Sequence, residues 1–108
     1  MKYDIVVTDG ALADLADIDD YLSDAESVDI ATYVIDGLEK KIRSLAEMAN
    51  RGHYPAELAA LGIQDYREIE WKTYRIIYRV SDRSVFVYVV ASARRDFQAL
   101  LQRRLFSA

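Results

Sequence analysis

The chain has 108 residues, which is the size of one ordinary domain, and its 52% hydrophobic content is enough to form a packed core. It contains no cysteine and only one histidine, so a disulfide framework, a thiolate metal site, a thiol nucleophile and a histidine-rich metal cluster are excluded. The formal net charge is −4, but residues 1–50 carry 12 acidic and 4 basic side chains whereas residues 51–108 carry 6 and 10, an asymmetry that indicates an interaction surface.

The N-terminal half predicts a short strand and a helical hairpin. Residues 3–8 include a β-branched run and end at a turn signal, which is typical of a strand. Apolar residues then recur every three or four positions from residue 9 to about residue 25, and Thr8 or Asp9 is placed to cap this first helix. Ser27 can cap a second helix that runs to Ala49 and ends at Gly52, for which we expect the left-handed conformation. Its spacing also resembles a short coiled coil, but three heptads favour packing against the first helix over dimerisation.

The C-terminal half predicts three strands and a final helix. Residues 53–64 are irregular, with a possible helical turn that Gly62 closes, and strands are expected at residues 65–71, 73–80 and 85–92. The polar link at residues 81–84 is typical of a hairpin, and Asp96 is placed to cap the last helix. The order is therefore β-α-α-β-β-β-α. This is an α+β fold in which a helical hairpin and a C-terminal helix pack on an antiparallel sheet, and residues 1–108 form a single domain.

Strand alternation predicts where the arginines of this half point. Arg75 and Arg79 share one face of the middle strand, and Arg67 joins them if the turn near Lys72 pairs odd positions with odd ones. Because Arg94 and Arg95 end the next strand, we expect a cationic patch on an uncovered sheet face, beside the basic side of the final helix. Such a patch would suit an anion. The alternative is that these arginines face water or pair with the acidic residues Glu68, Glu70 or Asp82.

Other types of site have less support. We expect His53 to pack in its loop rather than act as a general base, and we predict no metal or cofactor site. The longest apolar stretch, residues 85–91, is far shorter than the roughly 20 residues that cross a bilayer, so a cytoplasmic protein without membrane contact is expected. The residues expected to bind a partner are Arg67, Arg75, Arg79, Arg94, Arg95, Phe97, Leu101 and Arg104.

Several stretches together resemble the RelE/ParE family of toxins from bacterial type II toxin–antitoxin modules. Residues 13–21, which read A-D-L-A-D-I-D-D-Y, are similar to the D-L-x-x-I-x-x-Y signature of the family's first helix. Residues 54–68 and 74–80 resemble its loop and central hairpin, and Arg94-Arg95-Asp96 before a helix matches its C-terminal element. No single stretch is specific, but the combination spans nearly the whole chain in the family's order.

The resemblance implies a growth-inhibiting toxin of a plasmid-stabilisation module. A cognate antitoxin would neutralise it and would also supply operator DNA binding, so the toxin itself would contact operator DNA only indirectly. RelE-like members are mRNA interferases that cut mRNA on the ribosome, for which they need a base, an acid and cations near the developing phosphorane. In that case the resemblance assigns catalytic roles to Arg67, Arg75 and Arg95. ParE-like members instead poison DNA gyrase and lack the catalytic set.

Three features favour the ParE-like branch, and one of them is the long helical hairpin, which itself resembles that branch. The position that often holds a catalytic tyrosine in RelE-like enzymes aligns near Leu100 and Leu101, and a hydrocarbon side chain cannot transfer a proton. The net charge of −4 also opposes approach to the phosphates of the ribosome. We therefore expect a gyrase inhibitor that is not an enzyme. A ribosome-dependent mRNA endonuclease and an inactive member that only binds its antitoxin are the alternatives.

Overall fold

The elements follow the predicted order in the computed structural model, which describes residues 2–106. None of the helices in that range is both long and apolar enough to cross a membrane. The elements are β1 (Asp4–Val7), α1 (Asp9–Ala25), α2 (Val28–Arg43), a 3-10 helical turn (Ser44–Ala46), α3 (Ala56–Ala59), β2 (Arg67–Trp71), β3 (Tyr74–Ser81), β4 (Ser84–Ser92) and α4 (Phe97–Phe106).

The sheet has the strand order β1-β4-β3-β2. Strands β2, β3 and β4 form the predicted antiparallel meander, whereas β1 lies parallel to β4 with Val7 opposite Val87. A parallel neighbour cannot be reached by a tight turn. The chain accordingly passes through both long helices and the meander between these two strands. The predicted α+β fold is confirmed, and β1 is the strand that departs from antiparallel pairing.

Side-chain caps begin both long helices, as predicted. The Thr8 hydroxyl accepts a hydrogen bond from the Ala11 N–H at 3.3 Å, and the Ser27 hydroxyl accepts one from the Ile30 N–H at 3.1 Å. Helix α2 ends at Arg43, earlier than predicted, and the 3-10 turn follows it. Leu45 and Ala49 are nevertheless buried. The apolar spacing continued because the chain keeps packing on the core after the helix has ended.

Both faces of the sheet are covered, so the expected uncovered face is wrong. Ile76, Ile77 and Tyr78 are consecutive in β3 and all are 0% exposed, although their side chains point alternately to opposite faces. The hairpin of α1 and α2 covers one face, and α3 and α4 cover the other. The second cluster contains Leu58, Ile77, Val89, Ala91, Phe97, Leu100 and Leu101.

Gly52 is needed for close packing rather than for a left-handed conformation, which corrects our prediction. Gly62 is the glycine with a positive φ, at 76°. A Cβ on residue 52 would lie 2.5 Å from the Tyr78 hydroxyl and 2.8 Å from the Glu68 carbonyl oxygen. This approach lets the Tyr78 hydroxyl accept from the Gly52 N–H at 3.0 Å while it donates to the Ala49 carbonyl at 2.7 Å. One buried hydroxyl therefore fixes the loop after α2 to the centre of the sheet.

Replacing Tyr78 by Phe should lower the free energy of unfolding by about 1–3 kcal/mol, because it leaves a buried N–H and a buried carbonyl unpaired. Urea denaturation measures this change. Tyr33→Phe is the matched control, since Tyr33 is exposed on α2, and it should change stability by no more than about 0.5 kcal/mol. Equal stabilities of the two variants would contradict this role of the Tyr78 hydroxyl.

Candidate functional site

The predicted arginine set is divided between the two faces of the sheet. Two residues, Lys72 and Thr73, form the turn between β2 and β3, so odd positions pair with even ones. Glu70 lies opposite Arg75, and Arg67 lies opposite Tyr78. Arg67 therefore sits on the hairpin face, because the odd-with-odd pairing on which a shared face with Arg75 depended does not occur. Its guanidinium donates to the Gly52 carbonyl at 2.8 Å and lies 4.9 Å from the centre of the Tyr54 ring.

Arg75 is held by two carboxylates on the face covered by α4. It donates to Glu68 through Nε at 2.8 Å and Nη2 at 2.7 Å, and to Glu57 through Nη1 at 2.9 Å and Nη2 at 2.7 Å. The ring of Phe97 lies 3.9 Å from its Cζ atom. The Arg75 side chain is only 13% exposed, so this ion network is largely shielded from water. Four of the five N–H groups of the guanidinium are already used.

Ion pairing and burial shift the pKa values of this network in opposite directions. The hydrogen bonds from Arg75 lower the pKa of Glu57, and the Glu57 carboxylate in turn raises the pKa of Arg75. Burial raises the pKa of Glu68, although the hydrogen bonds from Arg75 oppose that shift. Two carboxylates thus surround one guanidinium, and Arg75 offers no free positive charge to an incoming phosphate.

The positions in α4 at which a nuclease would be expected to carry a catalytic acid or base hold buried apolar side chains. Phe97, Leu100 and Leu101 are at most 3% exposed and pack against Ile77 and Val89 of the sheet. In this conformation Phe97 and Leu101, two residues expected to bind a partner, have almost no surface to offer.

Arg104 is also engaged inside the molecule, which corrects its placement on an exposed basic side of the final helix. Its guanidinium pairs with Asp14 of α1 at 2.8 Å and donates to the Tyr88 carbonyl at 2.9 Å. The Asp14 carboxylate also accepts from the Val90 N–H at 2.9 Å. Strand β1 ends opposite Val87, so this ion pair covers the edge of β4 where its neighbour stops.

Arg94 and Arg95 remain exposed in the turn between β4 and α4. They make no ion pair within residues 2–106. Arg79 is exposed as well, but it lies opposite Phe86 at the other end of β3, so it does not join them. The two neighbouring arginines border a groove of about 570 Å³. Its lining residues are Asp14, Asp17, Ile18, Tyr21, Thr73, Tyr74, Val90, Ala91, Ser92, Arg94 and Arg95.

His53 contacts one carboxylate, that of Glu70, at the edge of β2 and lies near a second, that of Glu68. Its Nε2 lies 2.7 Å from Glu70, and the ligand atoms of His53, Glu68 and Glu70 all lie within 4.8 Å of one another. Both oxygens of Glu68, however, already accept from Arg75. Nδ1 of His53 faces the Tyr54 carbonyl at 3.3 Å, so both ring nitrogens face acceptors. A protonated imidazole satisfies both, and the three side chains are better described as a hydrogen-bonded network than as a metal site.

The residues that neutralise the arginines were difficult to identify from the sequence. Glu57 is one acidic residue in an irregular stretch, and Asp14 is one of several acidic residues in the first helix, so the spacing of neither indicates an ion pair with an arginine. Glu68 was named as a possible partner of the strand arginines, and that alternative is the one observed. A register that pairs Glu70 with Arg75 also puts Glu68 on the face of Arg75, so knowing that register would have indicated Glu68 as the partner.

His53 should titrate at a pH above its ordinary pKa of 6.5, because its hydrogen bond to Glu70 favours the charged imidazolium. The stabilisation from this pair is then fully present below pH 6.5 and is lost as the pH rises through the folded pKa. NMR titration of the single histidine measures the midpoint directly. In Glu70→Gln the midpoint should fall, and an unchanged midpoint would show that Glu70 is not the cause.

The comparisons with known proteins agree with this fold. Residues 5–97 match the model of the ParE toxin of the type II toxin–antitoxin system parDE. A solved structure described as the chromosomal ParDE toxin–antitoxin system from P. aeruginosa superposes with a TM-score of 0.70 at 19% identity, over 84% of this chain and 96% of that one. Comparison with individually curated proteins gives no match. Because the family model covers residues 5–97, which include the helical hairpin and nearly all of the sheet, this chain belongs to the ParE family of type II toxin–antitoxin toxins.

Proposed function

We propose that this chain is a toxin that inhibits DNA gyrase by direct binding in the cytoplasm, without catalysing a reaction, and that a cognate antitoxin neutralises it. The observation that carries this proposal is that Arg75 is already paired with carboxylates of its own chain. A nuclease of the RelE type needs that cation free to stabilise phosphorane charge. Here two carboxylates hold it and Phe97 covers it.

The lack of a proton-transfer group supports the same conclusion. Leu100 and Leu101 are buried hydrocarbons, and Asp96, the carboxylate that follows Arg95 in the chain, caps α4 by accepting from the Ala99 N–H. An arginine side chain stays protonated, so it can bind a phosphate but cannot remove the proton from a 2′-hydroxyl. Inhibition by protein contact needs neither group.

We further propose that the antitoxin binds at the groove beside Arg94 and Arg95. Their charges are unpaired in the described part of the chain, and the groove also offers Ile18, Tyr21 and Tyr74 as apolar surface. A partner segment that combines carboxylates with an apolar side chain would complement this mixture. The antitoxin, and not this chain, would then contact operator DNA.

The target is tested by assaying the same purified protein on gyrase and on programmed ribosomes. We expect loss of gyrase supercoiling activity and no mRNA cleavage. If the ribosomes instead yield codon-periodic cleavage that Arg95→Ala abolishes, while supercoiling is unaffected, the chain is a nuclease and the proposal is wrong. If the protein affects neither assay and its induced expression leaves growth unchanged, it is an inactive member that only binds a partner.

The antitoxin site is tested with the small protein encoded beside this gene. Its affinity should fall as salt is raised, because exposed charges are screened. Arg94→Gln combined with Arg95→Gln should weaken binding by about tenfold or more, on the scale of one lost charge-assisted contact. The control Lys2→Gln combined with Arg83→Gln removes the same charge elsewhere and should change affinity less than about twofold. Equal losses in both double variants would place the antitoxin on another surface.

A further inference from the structure

A second concentration of positive charge lies at the end of α2, away from the groove. Residues 1–50 contain four basic residues, and three of them, Lys40, Lys41 and Arg43, stand in the last turn of this helix. Arg51 joins them from the following loop. Its Nη2 donates to the Ser44 hydroxyl at 2.7 Å, and that hydroxyl donates to the Lys41 carbonyl at 2.6 Å. The guanidinium is thereby fixed against the helix end.

These cations are unpaired. Within residues 2–106, no ion pair includes Lys40, Lys41, Arg43 or Arg51. Arg75 and Arg104, by contrast, are both held by carboxylates. A helix C-terminus does favour nearby cations. That effect does not account for Arg51, which the chain brings back to the same place from outside the helix.

An aromatic side chain borders the same charges. A hollow of about 390 Å³ is lined by Gly37, Lys40, Lys41, Ser44, Arg51 and Trp71. The Trp71 ring packs on α2 at Gly37, where a Cβ atom would overlap it. Tyr33 lies beside it with the ring centres 6.0 Å apart. The surface thus combines fixed cations with an aromatic platform.

Lys72 adds a further cation at this platform. Its ammonium lies 5.3 Å from the centre of the Trp71 ring and 5.4 Å from that of Tyr33. Its φ is 52°, in the left-handed region that suits Gly or Asn much better than Lys. The turn between β2 and β3 therefore carries a lysine at a position where the backbone favours another residue. Its charge is the property that a Gly or Asn would lack.

We propose that this surface, formed by Lys40, Lys41, Arg51, Trp71 and Lys72, binds single-stranded nucleic acid. The cations would contact successive phosphates, and an unpaired base would stack on Trp71, which is the combination typical of single-strand binding. A duplex fits less well because its bases are already stacked. Binding is weak, since the net charge of −4 and the acidic face of α1 oppose it. This inference is independent of the proposed function, because it concerns another surface and another ligand.

Trp71 is the only tryptophan in the chain, so its fluorescence reports directly on this surface. The probes are ten-nucleotide oligothymidylate and oligouridylate, which share phosphates and unpaired bases. Either strand should quench the emission, and the one that binds more tightly identifies the nucleic acid as DNA or RNA. With four phosphate contacts, affinity should fall roughly 50-fold between 50 and 200 mM salt. Absence of quenching at 50 mM salt, or binding that does not depend on salt, would overturn the proposal.

Substitutions at this surface test whether the nucleic acid binds there. Lys40→Gln combined with Lys41→Gln should lower affinity about tenfold, as expected for two lost phosphate contacts, whereas the control Lys2→Gln combined with Arg83→Gln should lower it less than about twofold. Lys72→Asn suits the left-handed turn, so it should keep or raise stability while it weakens binding. If both double variants lose affinity equally, the effect is one of total charge. If a duplex of the same length quenches as strongly as the single strand, base stacking on Trp71 is wrong.

Discussion

The ion network around Arg75 is the interaction on which the second face of the sheet depends. It joins Glu57 of α3 and Glu68 of β2 to a guanidinium on β3, and Phe97 of α4 lies over it. A charged group can be buried only if it is paired and hydrogen-bonded. Once both carboxylates are in place, helices can cover this face with Leu58, Leu100 and Leu101, and a second core forms beside the first. The same pairing removes the free cation that phosphoryl chemistry would need.

Covering both faces moves the binding surfaces to the edges and ends of the sheet. The centre of each face is occupied by apolar side chains, and Asp14 with Arg104 covers the exposed part of β4. Two clusters of cations that form no ion pair within residues 2–106 lie at the turn before α4 and at the end of α2. Each group borders a hollow with aromatic residues. A molecule with a net negative charge thus keeps two separate cationic surfaces, one proposed for an acidic protein segment and one for nucleic acid.

Local signals predicted most of the elements. The hydroxyl caps at Thr8 and Ser27, the left-handed Gly62 and the polar link before β4 act over a few residues, so they are readable without knowing the fold. The predictions were wrong where residues that are distant in sequence pack together. The end of α2 was predicted too late because Leu45 and Ala49 are buried outside the helix. Gly52 was assigned a backbone role, whereas its lack of a side chain makes room for Tyr78.

The sequence by itself determined the family, the order of elements and the charge asymmetry, because these depend on residue type and spacing along the chain. Only the tertiary structure decided whether each arginine is paired with a carboxylate or free. The two-residue turn at Lys72 sets the register of β2 against β3, and that register places Glu68 beside Arg75 and moves Arg67 to the opposite face. Packing of α4 then buries Leu101 and brings Arg104 to Asp14. Whether a charge is free or neutralised depends on neighbours distant in sequence, and spacing along the chain does not contain that information.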